Sequence, residues 1–172
     1  ALRELLITMG GVDKDNATGQ VLHALRTCPL PAGCRITVVM GATAPWLDEV
    51  RKQAQDMPWS TRVLVGVSDM AQLMVDSDLA IGAAGATSWE RCCLGLPTIM
   101  LVLAENQRKV ALGLQRAGAA RLIDLTQHAT IQLKELLVPF IDAPSELLHM
   151  SECAADIVDG AGPDAVVQQM EV

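Results

Sequence analysis

Apolar residues in this chain come in short unbroken runs, and the polar residues gather in the longer stretches between them. The runs Glu4–Met9, Ile36–Met40, Arg62–Val65, Leu79–Ile81, Thr98–Leu103 and Arg121–Ile123 are rich in Val, Ile and Leu. Continuous apolar runs of that length read as strands of a parallel sheet covered on both faces. The intervening segments Ala17–Thr27, Pro45–Met57, Asp69–Asp76, Ser88–Leu94 and Asn106–Ala117 read as helices. Pro45 and Leu47 suit a first helical turn, and Gly95 and Gly118 suit helix ends. After Asp124 the pattern is helical only, at Ile131–Ile141, Ser145–Val158 and Pro163–Gln169. Strand–helix alternation of this kind predicts right-handed crossovers. The expected fold is α/β: a Rossmann-like, doubly wound parallel sheet of about six strands with a helical C-terminal tail. Residues 1–124 would form the core of a single domain and residues 125–172 its terminal helices.

Composition narrows the partners. The formal net charge is -7, with only three Trp, one Phe and no Tyr among 172 residues. An acidic chain lacks the clustered Lys and Arg that phosphate backbones require, and so few aromatics leave no platform for stacking bases, which argues against nucleic acid. The core must be aliphatic. No apolar run reaches the ~18 residues of a membrane span, and no signal segment opens the chain, so a cytoplasmic location is expected. The first residue is not Met, and a strand pattern is under way by the sixth residue. The chain is therefore expected to be the second half of a longer protein.

Metal chemistry has little support. Cys28, Cys34, Cys92, Cys93 and Cys153 form an odd set without a C-x-x-C pair, which is neither a disulfide framework nor a zinc pattern. They are expected to be reduced, mostly buried thiols. His23, His128 and His149 are far apart, and none is expected to have a metal-binding neighbour at i+3 or i+4. Neither a metal nor a cofactor is expected.

In an open parallel sheet, ligands bind outside the carboxyl ends of the strands, so the residues just after each strand carry the functional signal. After the first strand, Met9-Gly10-Gly11-Val12-Asp13 pairs two glycines, which lets backbone N–H groups approach an anion closely. The same pair also suits a plain tight turn, and it is neither a Walker loop nor a dinucleotide fingerprint. After the fourth strand, Gly82-Ala83-Ala84-Gly85-Ala86-Thr87-Ser88-Trp89-Glu90 exposes bare backbone ahead of a helix start, a ready seat for a phosphate. Glu90 would be repelled by a diphosphate but could accept from both hydroxyls of a ribose. Thr87-x-x-Glu90 is equally a capping box. After the third strand, Val67 could read the edge of a base with Met70 on its face, or Ser68 could simply cap the next helix. After the fifth, Asn106 and Gln107 are either ligand contacts or caps on a solvated helix.

Taken together, Met9–Asp13, Val67–Met70, Ala80–Glu90, Leu94-Gly95-Leu96-Pro97 and Ala104-Glu105-Asn106-Gln107 resemble the C-terminal half of the pseudaminic-acid-pathway UDP-sugar hydrolases, the PseG or SpsG-like family. More distantly they are similar to the C-terminal domain of the N-acetylglucosaminyltransferase that makes lipid II. The resemblance runs from about Leu5 to Asp124; its specific part is the Gly-Ala-x-Ser-Trp-Glu stretch with the following Gly-Leu-Pro.

That resemblance implies a GT-B architecture, in which two Rossmann-like domains enclose a cleft and the C-terminal one holds UDP. It implies that Glu90 binds the ribose and that Gly10, Gly11, Gly85, Ala86, Thr87 and Ser88 line the phosphates. Val67 would contact uracil with Met70 nearby. Asn106 would be an active-site asparagine near the diphosphate, supported by Gln107. The implied reaction is hydrolysis of a UDP-linked 2,4-diacetamido-2,4,6-trideoxyhexose without a covalent enzyme intermediate. The catalytic histidine of the family belongs to its N-terminal domain, and none of His23, His128 or His149 matches it. The expected partners are therefore UDP or a UDP-sugar and the N-terminal domain of a parent protein. Two other readings stay open: the sugar-nucleotide half of a glycosyltransferase, and a non-catalytic Rossmann-like interaction module.

Overall fold

The structure, a computed structural model, describes residues 2–9, 16–83, 91, 94–101, 108–123, 129–142 and 145–155. The strands are β1 (Glu4–Thr8), β2 (Arg35–Met40), β3 (Ser60–Val65), β4 (Leu79–Ala83), β5 (Thr98–Leu101) and β6 (Ala120–Ile123). Between and after them lie α1 (Ala17–Leu25), α2 (Leu47–Gln55), α3 (Met70–Val75), α4 (Arg108–Arg116) and α5 (Ala129–Asp142). A further helical run covers 145–155. All strands pair in parallel, in the order β3-β2-β1-β4-β5-β6. This is the doubly wound arrangement expected from the alternation, with the strand order reversing between β1 and β4.

Strand alternation sorts the core into two faces. Leu5, Ile7, Ile36, Val38, Leu79, Ile81, Ile99 and Leu101 pack with Val21, Leu22 and Leu25 of α1 and with Leu137 and Phe140 of α5. On the opposite face, Leu6, Val39 and Ala80 meet Met74 of α3. Beyond them Met100 and Ala120 meet Ala111 and Leu114 of α4. The aliphatic core expected from the composition is present, and one aromatic residue, Phe140, is fully enclosed within it.

Helix ends follow local chemistry. Asn16 adopts the left-handed region (φ 54°) and caps α1, its Oδ1 accepting from Gly19 N at 3.0 Å. An added Cβ at Gly19 would lie 2.7 Å from that oxygen, so any larger residue there displaces the capping side chain. At the end of α4, Ala119 N donates to the Leu114 carbonyl and Gly118 N to that of Gln115, across Gly118 at φ 81°. Leu96 N likewise donates to the Arg91 carbonyl across Gly95 at φ 65°. Both are Schellman closures, where glycine tolerates the positive φ that ends a helix. Among the described residues, no helix is long and apolar enough to cross a membrane.

Several boundaries differ from expectation. Strand β3 is an edge strand, partly exposed along its length, rather than covered on both faces. Arg62 on it is exposed and blunts an edge that could otherwise pair with another chain. Helix α2 begins at Leu47, so Pro45 precedes the first turn; the bond Leu47 N to Ala44 O builds a separate turn there. The expected helix Pro163–Gln169 lies outside the described residues.

Candidate functional site

The reversal between β1 and β4 positions the site. Thr8 and Gly82 are register partners at the carboxyl ends of these two strands. Consecutive connections leave such a pair toward opposite faces, which opens a crevice at the strand ends. The segments that depart there, 10–15 and 84–90, are the two glycine-bearing stretches singled out by sequence. Gly10, Gly11, Gly85, Ala86, Thr87, Ser88 and Glu90 lie outside the described residues, as do Asn106 and Gln107. The structure supplies the frame on which they hang.

That frame is tightly built. Helix α1, the first element after β1, begins at Ala17 with Asn16 as its cap. Arg91 is completely buried. Its Nη2 donates to the Ala83 carbonyl at 2.8 Å, linking the two described residues on either side of positions 84–90. Nη1 lies against Gly82, where an added Cβ would meet that nitrogen and would stand 2.8 Å from the Thr8 carbonyl oxygen. Gly82 is thus required by close approach, not by its backbone angle. The motif reading missed Arg91. The available signal was a lone cation inside Trp89-Glu90-Arg91-Cys92-Cys93-Leu94, a stretch otherwise short of solvent-seeking side chains apart from Glu90.

Val67 and Met70 lie beyond the carboxyl end of β3, after a turn in which Gly66 takes φ 66°. Both are half-buried and pack, with Leu73, against the cluster of Leu6, Val39, Met74, Ala80 and Leu96. The cap of α3 is Asp69 rather than Ser68: its Oδ1 accepts from Gln72 N at 3.0 Å. A carboxylate is the stronger acceptor here, and Ser68 is left exposed.

The opposite end of the sheet carries a different feature. A cavity of about 620 Å³ opens at the amino ends of β1, β2 and β3, lined by Arg3, Glu4, Arg35, Thr37, Ser60 and Arg62 among others. Several of its polar groups pair with one another. Arg35 pairs with Glu4, Asp78 Oδ2 accepts from the backbone of Arg3 and Glu4 at 2.9 Å each, and Arg62 Nε donates to Thr37 Oγ1 at 3.0 Å. Parallel sheets bind ligands at the other end, so size alone does not make this the site.

Of the three described thiols two are buried, as expected, and Cys153 is partly exposed. Cys28 and Cys34 are buried, and loss of solvation pushes both pKa values from the ordinary 9.0 to about 11. At Cys34, Glu4 and Asp78 add to the rise, whereas Lys134 slightly opposes it at Cys28. The expectation for histidine needs one correction. His149 does have a thiol one turn away, with Cys153 Sγ 3.7 Å from its Nε2. Two groups on one exposed helical face do not enclose an ion, and among the described residues no set of three or more ligand-type side chains gathers.

Comparison with known proteins places this geometry. The model of the glycosyltransferase family 28 C-terminal domain matches residues 17–162. The chain belongs to that family. It is 31% identical over 118 residues to the spore coat polysaccharide biosynthesis protein SpsG of Bacillus subtilis, covering 69% of this chain and 34% of SpsG. It is 29% identical over 168 residues to the UDP-N-acetylglucosamine–N-acetylmuramyl-(pentapeptide) pyrophosphoryl-undecaprenol N-acetylglucosamine transferase of Salinibacter ruber, covering 95% of this chain and 44% of the transferase. The crystal structure of Acinetobacter baumannii MurG superposes with a TM-score of 0.73 at 21% identity, over 99% of this chain and 49% of MurG. The family 28 domain has the Rossmann-like fold of a GT-B C-terminal half, as expected. It spans between a third and a half of these relatives.

Proposed function

We propose that this domain holds the nucleotide of a UDP-sugar for a longer two-domain enzyme, whose N-terminal half supplies the catalytic groups. The observation that carries the reading is the reversal of strand order at β1 and β4, with the two glycine-bearing segments leaving from adjacent strand ends. The ends of β3 and β4 are three strand spacings apart, about 14 Å, which is the reach of a nucleoside diphosphate. Uracil would rest by Val67 and Met70, the ribose on Glu90, and the diphosphate over Gly10, Gly11 and Gly85–Ser88. An acidic domain can seat a diphosphate only where helix ends and bare backbone overcome the net field. Each helix terminus contributes about 0.3–1 kcal/mol, and hydrogen bonds to charged groups about 1.5–3 kcal/mol each. A few such contacts reach micromolar affinity, about -8 kcal/mol.

For the parent reaction we favour hydrolysis, with release of UDP and free sugar, on a UDP-2,4-diacetamido-2,4,6-trideoxyhexose in surface-polysaccharide biosynthesis. Its support is the Ala104-Glu105-Asn106-Gln107 motif, with Asn106 beside the diphosphate and Gln107 behind it. The kinship to a transferase over nearly the whole chain supports the second reading, transfer of the sugar to an acceptor. Incubating the parent protein with the UDP-sugar separates them. Free sugar and UDP formed without an acceptor support hydrolysis, whereas turnover that appears only with an acceptor refutes it.

A further inference from the structure

Four large apolar side chains are exposed among the described residues: Leu148 at 61%, Val75 at 59%, Leu94 at 40% and Leu112 at 36%. The first three line one groove of about 300 Å³, together with Leu96, Pro97 and Leu147. Scattered singly, such side chains need no explanation, but gathered in one concave patch they mark an interaction surface. The groove lies between the end of α3, the turn 94–97 and the helical run 145–155. Asp78 and Pro97, which line it, immediately precede β4 and β5. It therefore opens at the amino ends of the strands, away from the crevice at their carboxyl ends.

The fold's own bonds hold its walls. Ser77 Oγ donates to the Leu73 carbonyl at 2.6 Å, and Thr98 Oγ1 to the Leu96 carbonyl at 3.1 Å. Gly95 sits so close to the helical run that an added Cβ would stand 3.1 Å from Ser151 Oγ. A preformed groove binds without the cost of ordering itself.

The surrounding charge selects the occupant. The segments 70–78, 94–97 and 145–155 hold Asp76, Asp78, Glu146 and Glu152 and no Lys or Arg. Asp78 lines the groove, Asp76 follows Val75, and Glu152 stands one helical turn after Leu148. Arg3, Arg35 and Arg62 line the neighbouring cavity, which shares Asp78, but none of them lines the groove. A second copy set groove to groove about a two-fold axis would bring these carboxylates together, and they would repel an anionic lipid surface. We propose that the groove docks a protein segment that inserts a few aliphatic side chains and flanks them with Lys or Arg. The nucleotide reading does not bear on this site.

The probe is a fluorescent synthetic helix of about fourteen residues with Leu along one face and Lys along the other; its counterpart carries Glu in place of Lys. Anisotropy with the 172-residue chain should show saturable binding of the Leu/Lys helix alone. The double variant V75A/L148A alters side chains that the fold leaves mostly exposed, so it should fold normally and weaken binding about tenfold or more. The double variant D76N/E152Q should weaken it about threefold and flatten its dependence on salt. The proposal is overturned if the Leu/Lys helix does not bind, if V75A/L148A binds it as well as the unaltered chain, or if the Leu/Glu helix binds equally. Unchanged affinity and salt dependence in D76N/E152Q would overturn the basic flank. A dimer in sedimentation that V75A/L148A dissociates would overturn it in favour of a second copy. Flotation with phosphatidylglycerol vesicles that V75A/L148A abolishes would overturn it in favour of a membrane.

Discussion

Gly82→Ala tests how the switch point is built. A single methyl at this position would press on Arg91 Nη1 and stand 2.8 Å from the Thr8 carbonyl oxygen. That carbonyl belongs to a central strand and cannot retreat, so the arginine head must move and its 2.8 Å bond to the Ala83 carbonyl must lengthen or break. Overpacking costs about 1–3 kcal/mol, and losing a hydrogen bond from a charged donor about 1.5–3 kcal/mol. Alanine returns about 0.4–1 kcal/mol by restricting the unfolded chain. The net destabilisation is about 3 kcal/mol, which for a domain of this size lowers Tm by roughly 6–12 °C. Urea unfolding at constant m-value is the assay, and Gly33→Ala is the control, because a Cβ there meets nothing within 4 Å. Gly33→Ala should fall within about 1 kcal/mol of the parent sequence, on the stabilising side. Equal stability of the two variants would refute the close approach of Arg91 to Gly82.

Asp78→Ala should cost about 1–3 kcal/mol in urea unfolding, since one carboxylate oxygen accepts from both Arg3 N and Glu4 N at 2.9 Å, and Asp78→Asn should recover part of that loss. Cys28 and Cys34 have folded-state pKa values near 11, raised from 9.0, so the fold favours their protonated form. Their contribution is full below pH 9 and is lost as pH rises through 11; stability should fall more steeply across that window than in a C28A/C34A variant. At pH 8, alkylation followed by mass spectrometry should label Cys153 ahead of both buried thiols. Glu90→Ala should weaken UDP about tenfold or more but leave pyrophosphate almost unchanged, since only UDP has a ribose; equal losses would make Glu90 a helix cap alone.

The parallel, doubly wound sheet was legible because buried parallel strands need continuous apolar runs, and Leu5–Ile7, Ile36–Met40 and Thr98–Leu101 supply them without ambiguity. Edge character was not legible. Val63, Leu64 and Val65 have the same composition as a central strand, and only the sheet order exposes them. Helix ends at Gly95 and Gly118 were readable because only glycine accepts their φ cheaply. The exchange of Ser68 for Asp69 as the cap of α3 shows the limit of one-residue resolution when two capping side chains stand side by side. The candidate loop residues Gly10, Gly11, Gly85–Ser88, Glu90, Asn106 and Gln107 were named from motif and resemblance, and they lie outside the described residues. The burial of Arg91 was not legible, because it depends on the space beside Gly82, which no spacing rule records.

The central claim is that nucleotide binds at the carboxyl ends of the strands, and backbone-amide chemical shifts during a UDP titration address it most directly. The account predicts shifts at Gly10, Gly11, Gly85–Glu90 and Val67–Met70 that saturate together at micromolar to low-millimolar UDP. No shifts at millimolar UDP, or shifts confined to Arg3, Arg35 and Arg62 at the opposite end of the sheet, would contradict it.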